Sequence, residues 1–163
     1  MRCRQVGSIP SGYLRVGAVH LLLVVVSIVS AAGCGRPLAL LPGGALEGTP
    51  AAVPESWSFT DGVQTVQLET RPAEPYSVNI WVTAADELLY VHAGANRSTW
   101  VENIEADPNV RLQVNESIYE LSASRVEDQA EFDRFSAAYE KKYGRRPRNE
   151  SVAEAYLFRL TAR

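Results

Sequence analysis

Short stretches in which apolar and polar residues alternate recur along the second half of the chain. In residues 76–83, YSVNIWVT, Val78 and Ile80 lie on one face while Asn79 and Trp81 lie on the other, as in a half-buried β-strand. The further stretches that predict strands in this way are residues 56–59, 63–70, 88–91, 110–114, 118–126 and 156–160. The pattern therefore predicts a mainly β domain built from short strands, with α additions.

Two other segments repeat their apolar residues at helical spacing. The shorter segment begins at a capping box, Thr99 to Glu102, and ends before Pro108, because a proline disfavours the helical conformation of the residue before it. The longer segment begins at Asp128 and ends at Gly144, which is a typical C-cap. Its apolar stripe, which we expect to face the core, consists of Phe132, Phe135, Tyr139 and Tyr143.

The first 33 residues have the composition of an export signal. Arginines precede an apolar run at residues 16–29, which is shorter than the ~20 residues that a membrane-spanning helix needs. Small residues then lead to Cys34 in the sequence Ala-Ala-Gly-Cys, which is similar to a bacterial lipobox. This pattern predicts a lipoprotein-type signal peptide over residues 1–33 and a lipid on Cys34. The alternative is an uncleaved signal anchor with an incidental cysteine.

Removal of this signal changes the cysteine count and the charge. Cys3 is lost and Cys34 remains alone, so no intramolecular disulfide is expected. Three of the 16 basic side chains and none of the 19 acidic ones are removed, which leaves 13 against 19. An acidic domain is a poor partner for nucleic acid. We therefore expect an exported protein, lipid-anchored to the bacterial cell membrane, with its domain outside the cytoplasm and no nucleic-acid partner.

The segment between the signal and the strands is rich in proline and glycine. Such a composition favours neither a helix nor a strand ladder, so residues 34–55 are predicted to be a disordered tether. The folded domain is predicted to comprise residues 56–163.

Residues 97–110 contain the motif Arg-x-x-Trp-x-x-Asn-Ile-x-x-Asp-Pro-x-Val. This motif resembles the strand–helix–strand centre of the flavin- and deazaflavin-binding split-barrel proteins, which include the pyridoxamine-phosphate-oxidase-like proteins and the deazaflavin-dependent nitroreductases. The similarity continues through Tyr-Leu-Phe-Arg-Leu-Thr at residues 156–161. The resemblance implies a six-stranded split β-barrel with one short and one longer helix. It also implies FMN or a deazaflavin as cofactor, and a homodimer with the cofactor site near its interface.

The start of the shorter helix is the predicted phosphate site. A helix N-terminus presents unpaired N–H groups to an anion, Arg97 adds a bidentate donor, and Ser98 and Thr99 add hydroxyls. Proteins that this segment resembles use it for the phosphate of FMN or of a deazaflavin. The resemblance also implies that Trp81 and Trp100 pack against the cofactor ring or its pocket wall. The alternative interpretation is a well-capped helix with a solvated arginine.

Other residues that could carry chemistry are few. His92 is the only histidine after the predicted signal, and without a second cysteine a His/Cys zinc site is not expected. We interpret His92 as a plain exposed or strand-end residue without a catalytic role. The basic cluster at residues 141–148 is interpreted as favourable pairing with the helix C-terminus. The alternative for this cluster is contact with anionic lipid headgroups.

Two functional hypotheses follow from these observations. The first is an envelope-anchored oxidoreductase that transfers a hydride between a flavin-type cofactor and a small organic molecule. The second is a non-catalytic lipoprotein that uses the same barrel to bind a ligand or a protein partner. The second is favoured by residues 71–75, Arg-Pro-Ala-Glu-Pro, which replace a basic, Gly- and Ser-rich turn of the deazaflavin-binding relatives.

Overall fold

A computed structural model describes residues 41–163, and the predicted signal peptide and the first part of the predicted tether lie outside this range. Its strands are β1 (Thr49–Pro50), β2 (Thr65–Thr70), β3 (Tyr76–Ala85), β4 (Leu88–His92), β5 (Asn109–Val114), β6 (Ser117–Arg125) and β7 (Leu157–Ala162). Its α-helices are α1 (Thr99–Ala106) and α2 (Gln129–Tyr143), and short 3₁₀ helices occur at Ser58–Gly62 and Val152–Glu154. Among the described residues, no helix is both long and apolar enough to cross a membrane.

Six antiparallel strands close into a barrel. Their order is β6-β5-β2-β3-β4-β7, and β7 pairs back onto β6. Alternate side chains of these strands point inward, as the two-residue period of a strand requires. The fully buried aliphatic residues include Leu68, Val82, Leu89, Val91, Leu112 and Leu121. The structure confirms the predicted mainly β fold, with a six-stranded barrel, one short helix and one longer helix.

The longer helix packs against the outside of the barrel. The Asp128 side chain accepts a hydrogen bond from the Glu131 amide, and Gly144 ends the helix at φ 70°, a left-handed conformation that favours glycine. The apolar stripe meets residues of β4 and β7 in a second hydrophobic cluster. That cluster contains Tyr90, Val126, Phe132, Phe135, Tyr139, Ala155 and Leu157. Both predicted ends of α2 and its predicted core face are confirmed.

Two local predictions are wrong. Residues 58–62 form a 3₁₀ helix, although a strand was predicted over residues 56–59. The alternation of Trp57 and Phe59 that suggested a strand instead reflects packing of aromatic side chains. Trp57 is buried and lies edge-on against Tyr119, with 5.0 Å between ring centroids. The N-cap of α1 is Ser98 rather than Thr99, and the Ser98 side chain caps no backbone N–H within the described part of the chain. The predicted capping box is therefore not formed.

Residues 43–51, here called the N-terminal arm, are attached to the barrel rather than disordered. Gly43 exchanges two backbone hydrogen bonds of 2.9 Å with Ser77, and Thr49–Pro50 pairs in parallel with β6. Leu46 is 3% exposed, and its amide donates to Glu69 Oε2 at 2.6 Å. This part of the predicted tether is therefore ordered, because strand pairing and a buried carboxylate satisfy its backbone hydrogen bonds. Its proline- and glycine-rich composition does not reveal these contacts.

A buried ion pair underlies the arm. Glu69 is 1% exposed, and Arg111 Nη1 donates to both of its carboxylate oxygens at 3.0 and 2.9 Å. Arg111 Nη2 also donates to the Leu46 carbonyl at 3.2 Å. Glu69 and Arg111 face each other across the β2–β5 pair, so one cross-strand pair holds both the amide and the carbonyl of Leu46.

Candidate functional site

A pocket of about 600 Å³ opens where the loop after β4 faces the segment after α2. Its wall consists of residues 92–96, Tyr139 and residues 145–149, and its volume is in the range of small-molecule sites. The loop is fixed by backbone hydrogen bonds, from the Ala93 amide to the Tyr156 carbonyl at 2.9 Å and from the Tyr156 amide to the Gly94 carbonyl at 2.7 Å. Gly94 has φ 60°, which a residue with a side chain rarely adopts.

Three arginines of the segment after α2 line this pocket. They are Arg145, Arg146 and Arg148, and all three side chains are exposed. The Arg146 guanidinium pairs with Glu140 at 2.8 Å, and the Arg145 guanidinium lies 5.0 Å from the centre of the Trp81 ring. A guanidinium donates hydrogen bonds and accepts none. The wall is therefore suited to an oxygen-rich anion such as a phosphate or a carboxylate.

His92 also lines this pocket. It ends β4, and its ring packs against Phe135 and Tyr139, with centroid distances of 5.4 and 6.2 Å. Its Nε2 is buried and has no hydrogen-bond partner among residues 41–163. Burial lowers the pKa of His92 to about 4, because it penalises the charged imidazolium. His92 is consequently neutral near pH 7.

The predicted phosphate residues lie at the exposed start of α1. Arg97 donates to Glu105 Oε2 at 2.7 and 3.1 Å and lies 3.5 Å from Glu102. Thr99 is exposed. The Ser98 hydroxyl oxygen is buried and without a hydrogen-bond partner in the described residues. An anion at this position would compete with two carboxylates for the Arg97 guanidinium.

The two predicted ring-packing tryptophans have different surroundings. Trp100 is 8% exposed in the core and packs edge-on against Phe158, with 5.8 Å between ring centroids. Trp81 is 41% exposed and stacks on Tyr143 at 4.6 Å. None of the five predicted cofactor residues lines the 600 Å³ pocket, although Trp81 contacts its wall through Arg145. The structure thus does not gather the predicted residues in that pocket.

Sequence reasoning identified His92 and the basic cluster but did not place them in one site. The pocket depends on residues about fifty positions apart in the chain approaching each other. The available signal was a histidine at the end of a buried strand, directly before a glycine-containing loop. In the part of the chain that the structure describes, no group of three or more His, Cys, Asp or Glu side chains is placed to hold a metal ion.

Comparison with solved structures finds the same fold in several bacterial proteins. A conserved hypothetical protein from Mycobacterium tuberculosis is 18% identical, with 73% of this chain and 86% of that chain covered and a TM-score of 0.53. ChuZ from Campylobacter jejuni is 17% identical, with 64% of this chain and 50% of that chain covered and a TM-score of 0.50. At such identities the likeness concerns fold alone. This chain matches only half the length of ChuZ.

Comparison with sequence families is more specific. A search of curated proteins found no significant match. The model of the F420H(2)-dependent quinone reductase family matches residues 67–151, which is more than half of the 163 residues. This match includes β2 to α2 and the motif around Trp100, so the predicted resemblance to deazaflavin-dependent split-barrel proteins is confirmed. The chain therefore belongs to the F420H(2)-dependent quinone reductase family.

Proposed function

We propose that this protein is an oxidoreductase that binds a deazaflavin of the F420 class and acts on a small organic molecule. The observation that carries the proposal is the pocket in which three arginines and His92 meet, in a chain of this family. When bound, the cofactor supplies the hydride-transfer chemistry, and the protein supplies binding and orientation.

The residues of the pocket fit a phosphate-bearing cofactor. Arg145 and Arg148 provide charged donors for the anionic group, while Arg146 is partly committed to Glu140. Tyr139 provides an aromatic wall, and the His92 ring lies beside it in the same lining. The donors thus lie beside an aromatic wall, as a ring system with a charged tail requires.

The start of α1 remains a second candidate position for the phosphate. There, Arg97, Ser98 and Thr99 would bind the anion, with Trp81 and Trp100 near the ring system. This placement is less favourable in the structure because Arg97 must first release Glu105, to which it donates at 2.7 Å. Substitutions at Arg97 and in the pocket arginines distinguish the two placements.

We expect the full chain to bind coenzyme F420 and Arg148→Ala to weaken that binding about ten- to a hundredfold. A hydrogen bond to a charged group contributes roughly 1.5–3 kcal/mol, and about 1.4 kcal/mol corresponds to tenfold in affinity. The measurement is isothermal titration with coenzyme F420 and, separately, with FMN. Arg134→Ala is the matched control, because Arg134 is an exposed arginine of α2 that pairs with Asp86 and does not line the pocket.

Two outcomes would change the proposal. If Arg97→Ala weakens binding while Arg148→Ala does not, the phosphate lies at the start of α1. If the wild type binds neither ligand below about millimolar concentration, the oxidoreductase proposal fails and a non-catalytic binding protein is the better hypothesis.

One observation favours the hypothesis of a non-catalytic binding protein. In the turn after β2, Arg71 pairs with Glu74 at 3.3 Å, so the basic residue of this turn has a carboxylate beside it.

We also propose that the protein is exported and anchored by a lipid on Cys34. The support is the arginine-flanked apolar run that ends in Ala-Ala-Gly-Cys, and these residues lie outside the described part of the chain. When the protein is expressed in a bacterium, we expect the wild type in the membrane fraction. We expect the signal peptide of Cys34→Ser to remain uncleaved in the same cells. Mass spectrometry of the mature N-terminus decides the matter, since a terminus at residue 35 or later would contradict the proposal.

A further inference from the structure

We propose that Trp81 is a positioning residue, whose ring holds the Arg145 guanidinium at the pocket so that its N–H groups meet an anionic ligand group. This inference rests on the proposed binding of the cofactor in that pocket. It differs from the interpretation that follows from the family resemblance, because here Trp81 acts through Arg145 rather than by packing against the cofactor ring.

The first support is the contact between these two side chains. The guanidinium carbon of Arg145 lies 5.0 Å from the centre of the Trp81 ring, within the range of about 6 Å over which an aromatic face attracts a cation. Arg145 lines the pocket, whereas Trp81 does not. Trp81 also approaches the pocket residue Tyr139, with 6.2 Å between ring centroids. The Trp81 ring is therefore a neighbour of the pocket wall and contacts one of its arginines.

The second support is that the Trp81 ring is itself held at the barrel. Trp81 lies on β3, and its ring stacks on that of Tyr143 with 4.6 Å between centroids and 14° between planes. The Tyr143 hydroxyl and the Lys142 ammonium both donate to the Val82 carbonyl at 2.7 Å. The end of α2, which Arg145 follows by two residues, is thus tied to the strand that carries Trp81.

The third support is the kind of partner that holds Arg145. Arg146 pairs with Glu140 at 2.8 Å, while within residues 41–163 no carboxylate pairs with Arg145. A carboxylate uses guanidinium N–H groups and offsets the positive charge, whereas an aromatic face leaves the charge and the donors in place. The contact with Trp81 therefore restricts the rotamers of a long side chain and keeps its donors available to the ligand.

The test is a double-mutant cycle, measured by titration of the full chain with coenzyme F420. Trp81→Leu keeps an apolar side chain without an aromatic face and is expected to weaken binding about two- to fivefold, as for a cation–aromatic contact at an exposed site. In the Arg145→Ala background the same substitution is expected to change the affinity by less than about 1.5-fold, because the contact is already absent.

Arg148→Ala provides the matched control background, because Arg148 lines the same pocket and the contact between Trp81 and Arg145 is then intact. There, Trp81→Leu is expected to keep its full effect. An equal loss in the wild-type and Arg145→Ala backgrounds, or wild-type affinity in Trp81→Leu, would overturn the role of Trp81 and leave the proposed function standing. Absence of binding by the wild type would overturn both.

A second readout does not depend on affinity. The Nε–H signal of Arg145 in a ¹H–¹⁵N spectrum is identified by its loss in Arg145→Ala. Because the guanidinium lies over the Trp81 ring, we expect this proton signal to be displaced upfield in the wild type but not in Trp81→Leu, and to stay displaced when coenzyme F420 is added. No displacement in the free protein would overturn the proposal. So would a displacement that disappears on binding, because Arg145 would then leave Trp81 to reach the ligand.

Discussion

Replacement of Phe135 by alanine is expected to lower the free energy of unfolding by about 3–5 kcal/mol. Phe135 is 1% exposed and lies in the middle of the α2 stripe. Its ring centroid is 5.8 Å from that of Tyr90 and 6.0 Å from that of Phe132. Truncation removes buried apolar surface and leaves a cavity between α2 and the barrel, and both effects destabilise the folded state.

Denaturant unfolding of the variant and the wild type measures this loss. Phe59→Ala is the matched control, because Phe59 is 47% exposed and the same substitution there removes much less buried surface. We expect the control to lose less than about half as much. A loss below about 1 kcal/mol in Phe135→Ala would show that the stripe does not carry the packing of α2.

Arg111→Ala is expected to destabilise the domain by about 3–5 kcal/mol, because it leaves the Glu69 carboxylate buried without its countercharge. The carboxylate is 1% exposed, while the Arg111 side chain is 26% exposed. The same substitution removes the hydrogen bond to the Leu46 carbonyl. We therefore expect faster proteolysis within the N-terminal arm, in addition to the global loss of stability.

A double-mutant cycle separates the ion pair from the rest of this effect. Glu69→Gln in the Arg111→Ala background is expected to recover part of the loss, since the buried charge is then absent. Arg163→Ala is the control for a surface pair. Arg163 and Glu120 are 2.9 Å apart but 32% and 67% exposed, and such pairs contribute about 0–1 kcal/mol. Equal losses in Arg111→Ala and Arg163→Ala would contradict the proposed role of the buried pair.

The strands and α2 were predictable from the sequence because their signals are local, whereas the six-stranded split barrel was implied by the family resemblance. Alternation marks the faces of β2 to β7, and an aromatic stripe with an Asp cap and a Gly end marks α2. The N-terminal arm was not predictable in this way. Glu69 lies on the polar face of an alternating strand, and only the tertiary structure shows that the arm covers that face.

The site was predictable only in part, for a related reason. The motif around Trp100 identified the family, yet Trp100 itself lies in the core against Phe158, so this position of the motif contributes to packing. The pocket instead joins residues 92–96 to residues 145–149. The position of residues 92–96 in this pocket depends on the antiparallel pairing of β4 with β7, in which His92 lies opposite Leu157. A one-residue change in the register of this pairing would turn the β4 side chains to the other face of the sheet.

If Cys34 carries the proposed lipid, the N-terminal arm would limit how far the barrel can move from that anchor. The chain becomes fixed to the barrel at Gly43, and nine residue steps span at most about 30 Å when fully extended. A free tether up to residue 55 would span up to about 70 Å. The arm would thus keep the barrel within less than half the distance from the membrane that a free tether would allow. An acceptor molecule dissolved in the bilayer would then meet the pocket more often, without any direct contact between the barrel and lipid.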